Sequence, residues 1–416
     1  HELESYVNRC LQMDTVAIDT ETTGFSYFSD KLIGISISAE EGKGVYIPCV
    51  EGYGDSLLSA RPESGLSTAQ LSELLAPLAE SDKVVKVGHN IKFDMCFLRR
   101  LGIELKPPFG DSLGAAWLLT PEGSSLKLDD GARQYLGLSM VPITDLVGEG
   151  KNQASMDEVD LEELAHYAAE DADIALRLHR VLVEKLKEED LYRPYEEIEM
   201  PLVPVLAEME YNGIVLDTDR LERLGEKLRT ELAELTSGIH EHAGEKFNIN
   251  SPIQLAQVLF DKLGLTVVKE GKSRPSTDAS SLEAIKNEHE IVPLVLRYRL
   301  VKKLLSTYID ALPDYVSPDG RIHSSFNQTG TATGRLSSNR PNLQNIPART
   351  DESRMIRSAF VPGHGKAFVS ADYSQVELRV LAHFCGDEGL KKAFNEGRDI
   401  HSVVASEVFE VPLDEV

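Results

Sequence analysis

The chain has 416 residues, 42% hydrophobic and 27% charged, which is the balance of an ordinary globular protein and too long for a single core. No apolar run approaches the roughly 18 residues of a membrane span, no secretory leader opens the sequence, and Cys10, Cys49, Cys96 and Cys385 form no C-x-x-C pair, so reduced thiols and a cytoplasmic address are expected. The net charge of −25 argues against a polyanion bound over the whole surface, but residues 272–349 hold 11 Lys and Arg against 7 Asp and Glu, a local patch that keeps nucleic acid open as a partner.

Residues 15–50 read as three strands, TVAIDTE, KLIGISISA and GVYIPC, parted by turn residues. Asp19 and Glu21 stand two apart near the end of the first, so both project from one face. Paired carboxylates on an apolar strand are costly unless a cation lies between them, and a divalent metal held by oxygens is the simplest one. A helix is predicted over 68–80, capped by Ser67 or Thr68, with Leu71, Leu74, Leu75 and Leu78 as its apolar stripe. VVKVGH reads as a short buried strand, followed by a helix over 91–101 that carries Asp94 in GHNIKFD. Helical patterns continue at 111–119, 125–136 and 160–188. The last holds HYAAEDAD, in which Tyr167 and Asp171, four apart, share one helix face. Strands first and helices interleaved predict a mixed sheet flanked by helices.

After 190, Pro194, Pro201 and Pro204 break the pattern. A long charged amphipathic helix over 219–243 follows, then helices at 252–263, 279–287 and 291–312, a helical region with few strands. Strands return in RIHSSFNQ and in AFVSAD, which ends at Asp372, and a helix is expected over 374–385. The sequence closes in SEVFEVPLDEV, a helix and a turn.

Each acidic residue alone also fits a plainer role. Asp19 and Glu21 fit a solvated turn, Asp94 the first turn of a helix where the macrodipole favours it, and Asp171 a wet helical face. Tyr167 fits a half-buried helix position, Phe25 core packing and Asp372 a strand-end turn. The ordered set Asp19, Glu21, Asp94, Tyr167, Asp171 instead resembles the DEDD-type 3′–5′ exonucleases, in the variant with Y-x-x-x-D in the last motif. In that reading Asp19, Glu21 and Asp171 hold one metal, and Asp19 bridges to a second supported by Asp94. Two such metals roughly 4 Å apart clamp the attacking and leaving oxygens of an in-line displacement, with Tyr167 orienting the water. Asn90 is expected to bond the terminal nucleotide and Phe25 to wedge against its base.

From 323 the chain reads HSSFNQTGTATGRLSSNRPNLQNIPAR, and from 369 VSADYSQVELRVLAHFCGD. With the exonuclease motifs, these resemble the bacterial DNA polymerase I family (family A), in its large Klenow-type fragment. The resemblance implies an α/β, ribonuclease-H-like exonuclease domain over 1–190, a mostly helical thumb over 191–320, and over 321–416 a partial α+β palm with motif A and the start of the fingers. It implies that Asp372 binds metal with the Tyr373 carbonyl beside it, that Gln375 and His401 lie at the incoming nucleotide, and that Glu377 blocks a ribose 2′-hydroxyl. Arg335, Asn342, Gln344 and Asn345 match minor-groove contacts, where one acceptor pattern serves every base pair. Asn250, Ser251, Ser276, Thr277, Arg299 and Lys303 match phosphate contacts of the thumb. Leu305 departs from the family, which often has Lys there, so a slightly weaker grip is expected.

The implied cofactor is Mg2+, two per site, with Mn2+ as a substitute. The implied partners are primer–template DNA, a single-stranded 3′ end and, for the full protein, deoxynucleoside triphosphates, bound by a monomer at the nucleoid. The family's second catalytic aspartate and fingers helix do not occur before Val416, nor its 5′-nuclease domain ahead of His1. The chain as given is therefore expected to degrade a 3′ end but not to extend a primer, and its exposed palm strand to favour association. Two other classes stay open: a primer–template clamp without catalysis, and a DEDD-type ribonuclease.

Overall fold

Two antiparallel and two parallel pairings build the sheet that carries the acidic motifs. The computed structural model describes every residue except 54–61, 63, 121–122, 151–152, 272–273, 349 and 416, and the side chains of 407 and 414. β1 (Thr15–Thr22), β2 (Leu32–Glu40) and β3 (Lys43–Pro48) form an antiparallel meander, while β4 (Val85–Gly88) and β5 (Phe109–Asp111) add in parallel beyond β1. The order β3-β2-β1-β4-β5 places β1 at the centre, as its unbroken Val16-Ala17-Ile18 run requires. β5 has only three residues behind a Pro-Pro pair, too short to stand out in the sequence.

The helix Leu161–Glu188 lies across this sheet. Asp160 caps it, accepting from the Glu162 and Glu163 N–H groups at 2.9 and 3.2 Å. Ala168, Ala172 and Ala175 lie on its buried face, where short side chains let the helix come close. The contact is tight at β3, since a Cβ on Gly44 would stand 2.3 Å from the Ala169 carbonyl oxygen. Tyr167 and Asp171 are thereby brought over β1.

The predicted elements form with local differences. The 68–80 helix is Thr68–Ala79, started by a Ser67–Gln70 capping box. The helices expected at 125–136, 252–263 and 291–312 each begin as α-helix and loosen into a π turn, at Ala132–Leu136, Gln257–Lys262 and Leu305–Ile309. The three prolines do not break the chain. Tyr192–Pro194, a π turn Tyr195–Glu199 and the helix Met200–Asn212 run on continuously, because Pro201 falls in a first turn and the wide turn ahead absorbs its missing donor.

Helix Met200–Asn212 buries Met200, Val203 and Ala207 in the core of the five-stranded sheet. A second core forms between helices Thr218–Ala243 and Ile291–Leu304, from Leu221, Leu228, Val295, Tyr298 and Leu304 among others. Leu305 is buried there, so the position faces the core and offers the surface no cation to lose. β6 (Ile214–Leu216) pairs with β7 (Arg321–Ile322) and β10 (Phe360–Val361). RIHSSFNQ is two strands rather than one, because Ile322 pairs with β6 while β8 (Ser325–Asn327) turns to pair with β9 (Ser337–Asn339).

By packing, the chain divides into His1–Val361 and Pro362–Val416. The second unit holds helices Val376–Cys385, Glu388–Asn395 and Ile400–Phe409, with Ala382, Ala393 and Ile400 buried and Arg379 stacked 4.5 Å over Phe394. The strand expected in AFVSAD does not form. Phe368 and Val369 are exposed there, and among the described residues no strand pairs with the segment, so its ladder bonds have no partner.

Candidate active site

Asp19 and Glu21 project from the same side of β1, opposite Ser36 and Gly34 of β2, and Asp171 reaches down from the long helix. Ligand oxygens of these three all lie within 4.8 Å of one another. Among the described residues no Lys, Arg or His pairs with any of them. Burial pushes the Asp19 carboxyl up to about 6. Glu21 is held well above the usual carboxylate range by burial, then by Asp19, Asp171 and Asp94, and Asp171 by burial and Asp19. Three crowded, desolvated carboxylates without a counter-charge are a donor set that a hard divalent cation satisfies.

Asp94 is adjacent but outside that triad. Its Oδ1 accepts from the Thr20 N–H at 2.9 Å and the Thr20 hydroxyl at 2.6 Å, which ties helix Ile91–Arg100 to β1. Burial and Asp19 raise its pKa well above the ordinary value. Tyr167, one turn before Asp171, has its phenol pushed up by burial and by Asp171, Glu21 and Asp19, so it keeps its proton and donates. The five residues grouped by sequence thus converge, three as a potential chelate and two as neighbours.

A cleft of about 810 Å³ is lined by Phe25, Asn90 and Phe93 among others; it takes in Phe93, next to Asp94 in the chain, but none of the five acidic-site residues themselves. Asn90 adopts φ 74 at the start of its helix, held by the Asp111 carboxylate, which accepts from the Asn90 and Leu113 N–H groups at 2.9 and 2.8 Å. Phe25 is 67% exposed, which rules out the core-packing role. The bonds that fix this geometry, Thr20 to Asp94 and Asn90 to Asp111, span 74 and 21 residues, so neither is announced by local sequence, although Asp111 also caps the helix that follows it.

Most of the expected thumb contacts are engaged within the protein. Arg299 donates to the Thr277 carbonyl and, at 3.2 Å, to its hydroxyl; Thr277 is itself buried. Asn250 donates to the Tyr298 hydroxyl at 3.0 Å, Ser251 caps the helix at Pro252, and Ser276 accepts from the Asp278 N–H. Lys303 is exposed, as are Arg335, Asn342, Gln344 and Asn345. In the second unit, Asp399 brings two expected nucleotide contacts together, accepting from Gln375 Nε2 at 3.1 Å and the His401 N–H at 3.2 Å. Asp372, Tyr373 and Glu377 are exposed there.

Two family models match the sequence, a 3′–5′ exonuclease over residues 1–187 and DNA polymerase family A over residues 218–416. A solved structure described as the POL domain of Pol1 from M. smegmatis, in complex with DNA primer-template and dNTP, superposes with a TM-score of 0.82 at 32% identity, covering 100% of this chain and 67% of that one. The chain belongs to DNA polymerase family A, with a ribonuclease-H-like 3′–5′ exonuclease domain ahead of its polymerase region. Within that family it is similar to bacterial DNA polymerase I. The protein from Pseudomonas aeruginosa is 39% identical over 99% of this chain and 45% of its own length. Those from Chloroflexus aurantiacus and Bacillus subtilis are 43% and 41% identical, over 98% and 96% of this chain and 43% of each relative. The chain thus spans less than half the length of these curated relatives. Among the described residues no helix is long and apolar enough to cross a membrane.

Proposed function

We propose that residues 1–190 remove nucleotides one at a time from the 3′ end of a DNA strand, as the editing activity of a DNA polymerase in replication and repair. The observation that carries this is the triad Asp19, Glu21 and Asp171, Glu21 buried and the other two partly so, with no basic partner among the described residues and flanked by Asp94 and Tyr167. Its all-oxygen donor set fits Mg2+ or Mn2+, held by the triad with Asp94 supporting a second ion. Bound there, such ions would supply charge neutralisation and a more acidic water. Tyr167, kept protonated, orients the attacking water through its hydroxyl. Asn90 and Phe25 hold the terminal nucleotide in the cleft, and Asp94, fixed by Thr20, keeps its helix at the required distance from β1.

The remaining sequence serves the same substrate. Residues 191–320 are proposed as the thumb, with Asn250, Ser251, Ser276, Thr277, Arg299 and Lys303 along the phosphates. Residues 321–416 are proposed as part of the palm and the start of the fingers. There Arg335, Asn342, Gln344 and Asn345 read the minor groove, and Asp372, Tyr373, Gln375, Glu377 and His401 form part of the nucleotide site. Template-directed synthesis from deoxynucleoside triphosphates, by a cytoplasmic, nucleoid-bound monomer, is proposed for the whole protein.

A strand labelled at its 3′ end tests the nuclease reading. With Mg2+ the label should leave at once as a mononucleotide, whereas a 5′ label should pass down a ladder of single-nucleotide steps. Chelation should stop both. Internal cuts, or loss of label that survives chelation, would refute the assignment.

A further inference from the structure

The cleft lined by Phe25, which follows β1, and by Phe93, which precedes Asp94, has a second wall supplied by sequence more than 200 residues away. One side carries Phe25, Asn90 and Phe93, and the other includes Tyr315 and Arg340. Phe25 packs edge-on to Phe93, with ring centroids 6.2 Å apart, and otherwise faces the opening. The Arg340 guanidinium, from the loop after β9, lies 4.3 Å from the Phe25 ring centroid. An exposed aromatic ring with a planar cation on one face serves nucleic acid in two ways, since a base packs against the ring surface the cation leaves uncovered and the guanidinium takes a phosphate.

The charges around the cleft single out Arg340. Lys92 is neutralised by buried Glu210, and His323 Nε2 faces Asp319 at 3.1 Å. Asp30 and Asp314 add negative charge to the lining. Among the described residues Arg340 pairs with no carboxylate, so it is the cation there that remains available to an anion. Without it the lining would repel a phosphodiester.

We infer that Arg340 is a substrate-binding residue of the exonuclease cleft: its guanidinium takes a backbone phosphate of the single-stranded 3′ end as the terminal base passes over Phe25. The identity of this ligand rests on the exonuclease reading above. The residue belongs by sequence to the polymerase region, so the editing cleft is assembled from both parts of the chain.

The test compares Arg340→Ala and Arg340→Lys with the wild type on a short single-stranded oligothymidine. Steady-state degradation should show KM raised about tenfold in Arg340→Ala with kcat within about twofold, the loss of one charge-assisted contact. Binding of the same oligonucleotide, labelled with fluorescein and measured by anisotropy in an Asp19→Ala background, should lose about 0.7 from its log–log salt slope, one single-strand phosphate. Arg340→Lys should restore the slope but only part of the KM, because an ammonium does not stack as a planar fork does. Degradation with unchanged KM and slope would overturn the inference while leaving the nuclease reading intact, as would a change in melting temperature alone. A reduced slope in a chain that degrades nothing would uphold the binding site and refute the nuclease reading. Absence of both binding and degradation would refute both.

Discussion

Asp19→Ala should slow hydrolysis at the 3′ end by a factor of about a thousand or more, equivalent to about 4 kcal/mol of transition-state stabilisation, while the melting temperature stays unchanged or rises. The two effects separate because of where Asp19 sits. Its oxygens complete the triad with Glu21 and Asp171, so alanine opens the chelate. No cation among the described residues depends on it, so removal strands no opposite charge and relieves repulsion on Glu21, Asp94 and Asp171. Single-turnover degradation and thermal melting on the same preparation check both halves. A folded variant with near-wild-type rate would end the metal assignment.

Glu210→Ala should instead act on the fold, lowering stability by about 3–5 kcal/mol. The Glu210 side chain is fully buried and pairs with the Lys92 ammonium. It also accepts from the Tyr27 hydroxyl at 2.7 Å and the Phe326 N–H at 2.6 Å, and Lys92 donates in turn to the Phe326 carbonyl. Alanine would leave a buried ammonium, a phenol and a strand N–H without their partner. The hub joins β8 to the helix that carries Asp94, two residues after Lys92, so degradation should weaken along with stability. The shift in the denaturant midpoint measures it. Glu210→Gln, which keeps the shape and loses the charge, should fall between the two. A loss below about 1 kcal/mol would mean that water or another group replaces the carboxylate.

The parts of the site that were legible in the sequence are those whose geometry is local. Two residues apart on a strand fixed Asp19 with Glu21, and four apart on a helix fixed Tyr167 with Asp171. That these two pairs meet follows from the long helix lying against the sheet, which small residues at Gly44, Ala168 and Ala172 permit and no periodicity announces. Glu210 was illegible for the same reason. In AEMEYNG it reads as one more charge on a solvated helix, whereas its partners lie 118 and 116 residues away. The strand expected to end at Asp372 shows the opposite failure. A β-rich run satisfies the local pattern, but a strand exists only where a neighbour completes its ladder. Arg340 carries no local signal, because a stacked cation is recognised by the ring beneath it and Phe25 lies 315 residues earlier.

Editing of DNA 3′ ends by this cluster is tested by comparing two 5′-labelled primers on one template, identical except for a paired or mismatched terminal base. A strand must leave the duplex to enter the cleft, and a mismatched end has less pairing to give up. In Mg2+ without nucleotides, the mismatched primer should shorten about tenfold faster or more at its first step, the equivalent of at least ~1.4 kcal/mol of unpairing, and the two rates should converge once the mismatch is gone. Equal first-step rates on the two primers would contradict an editing role, and no shortening of either would contradict the site itself.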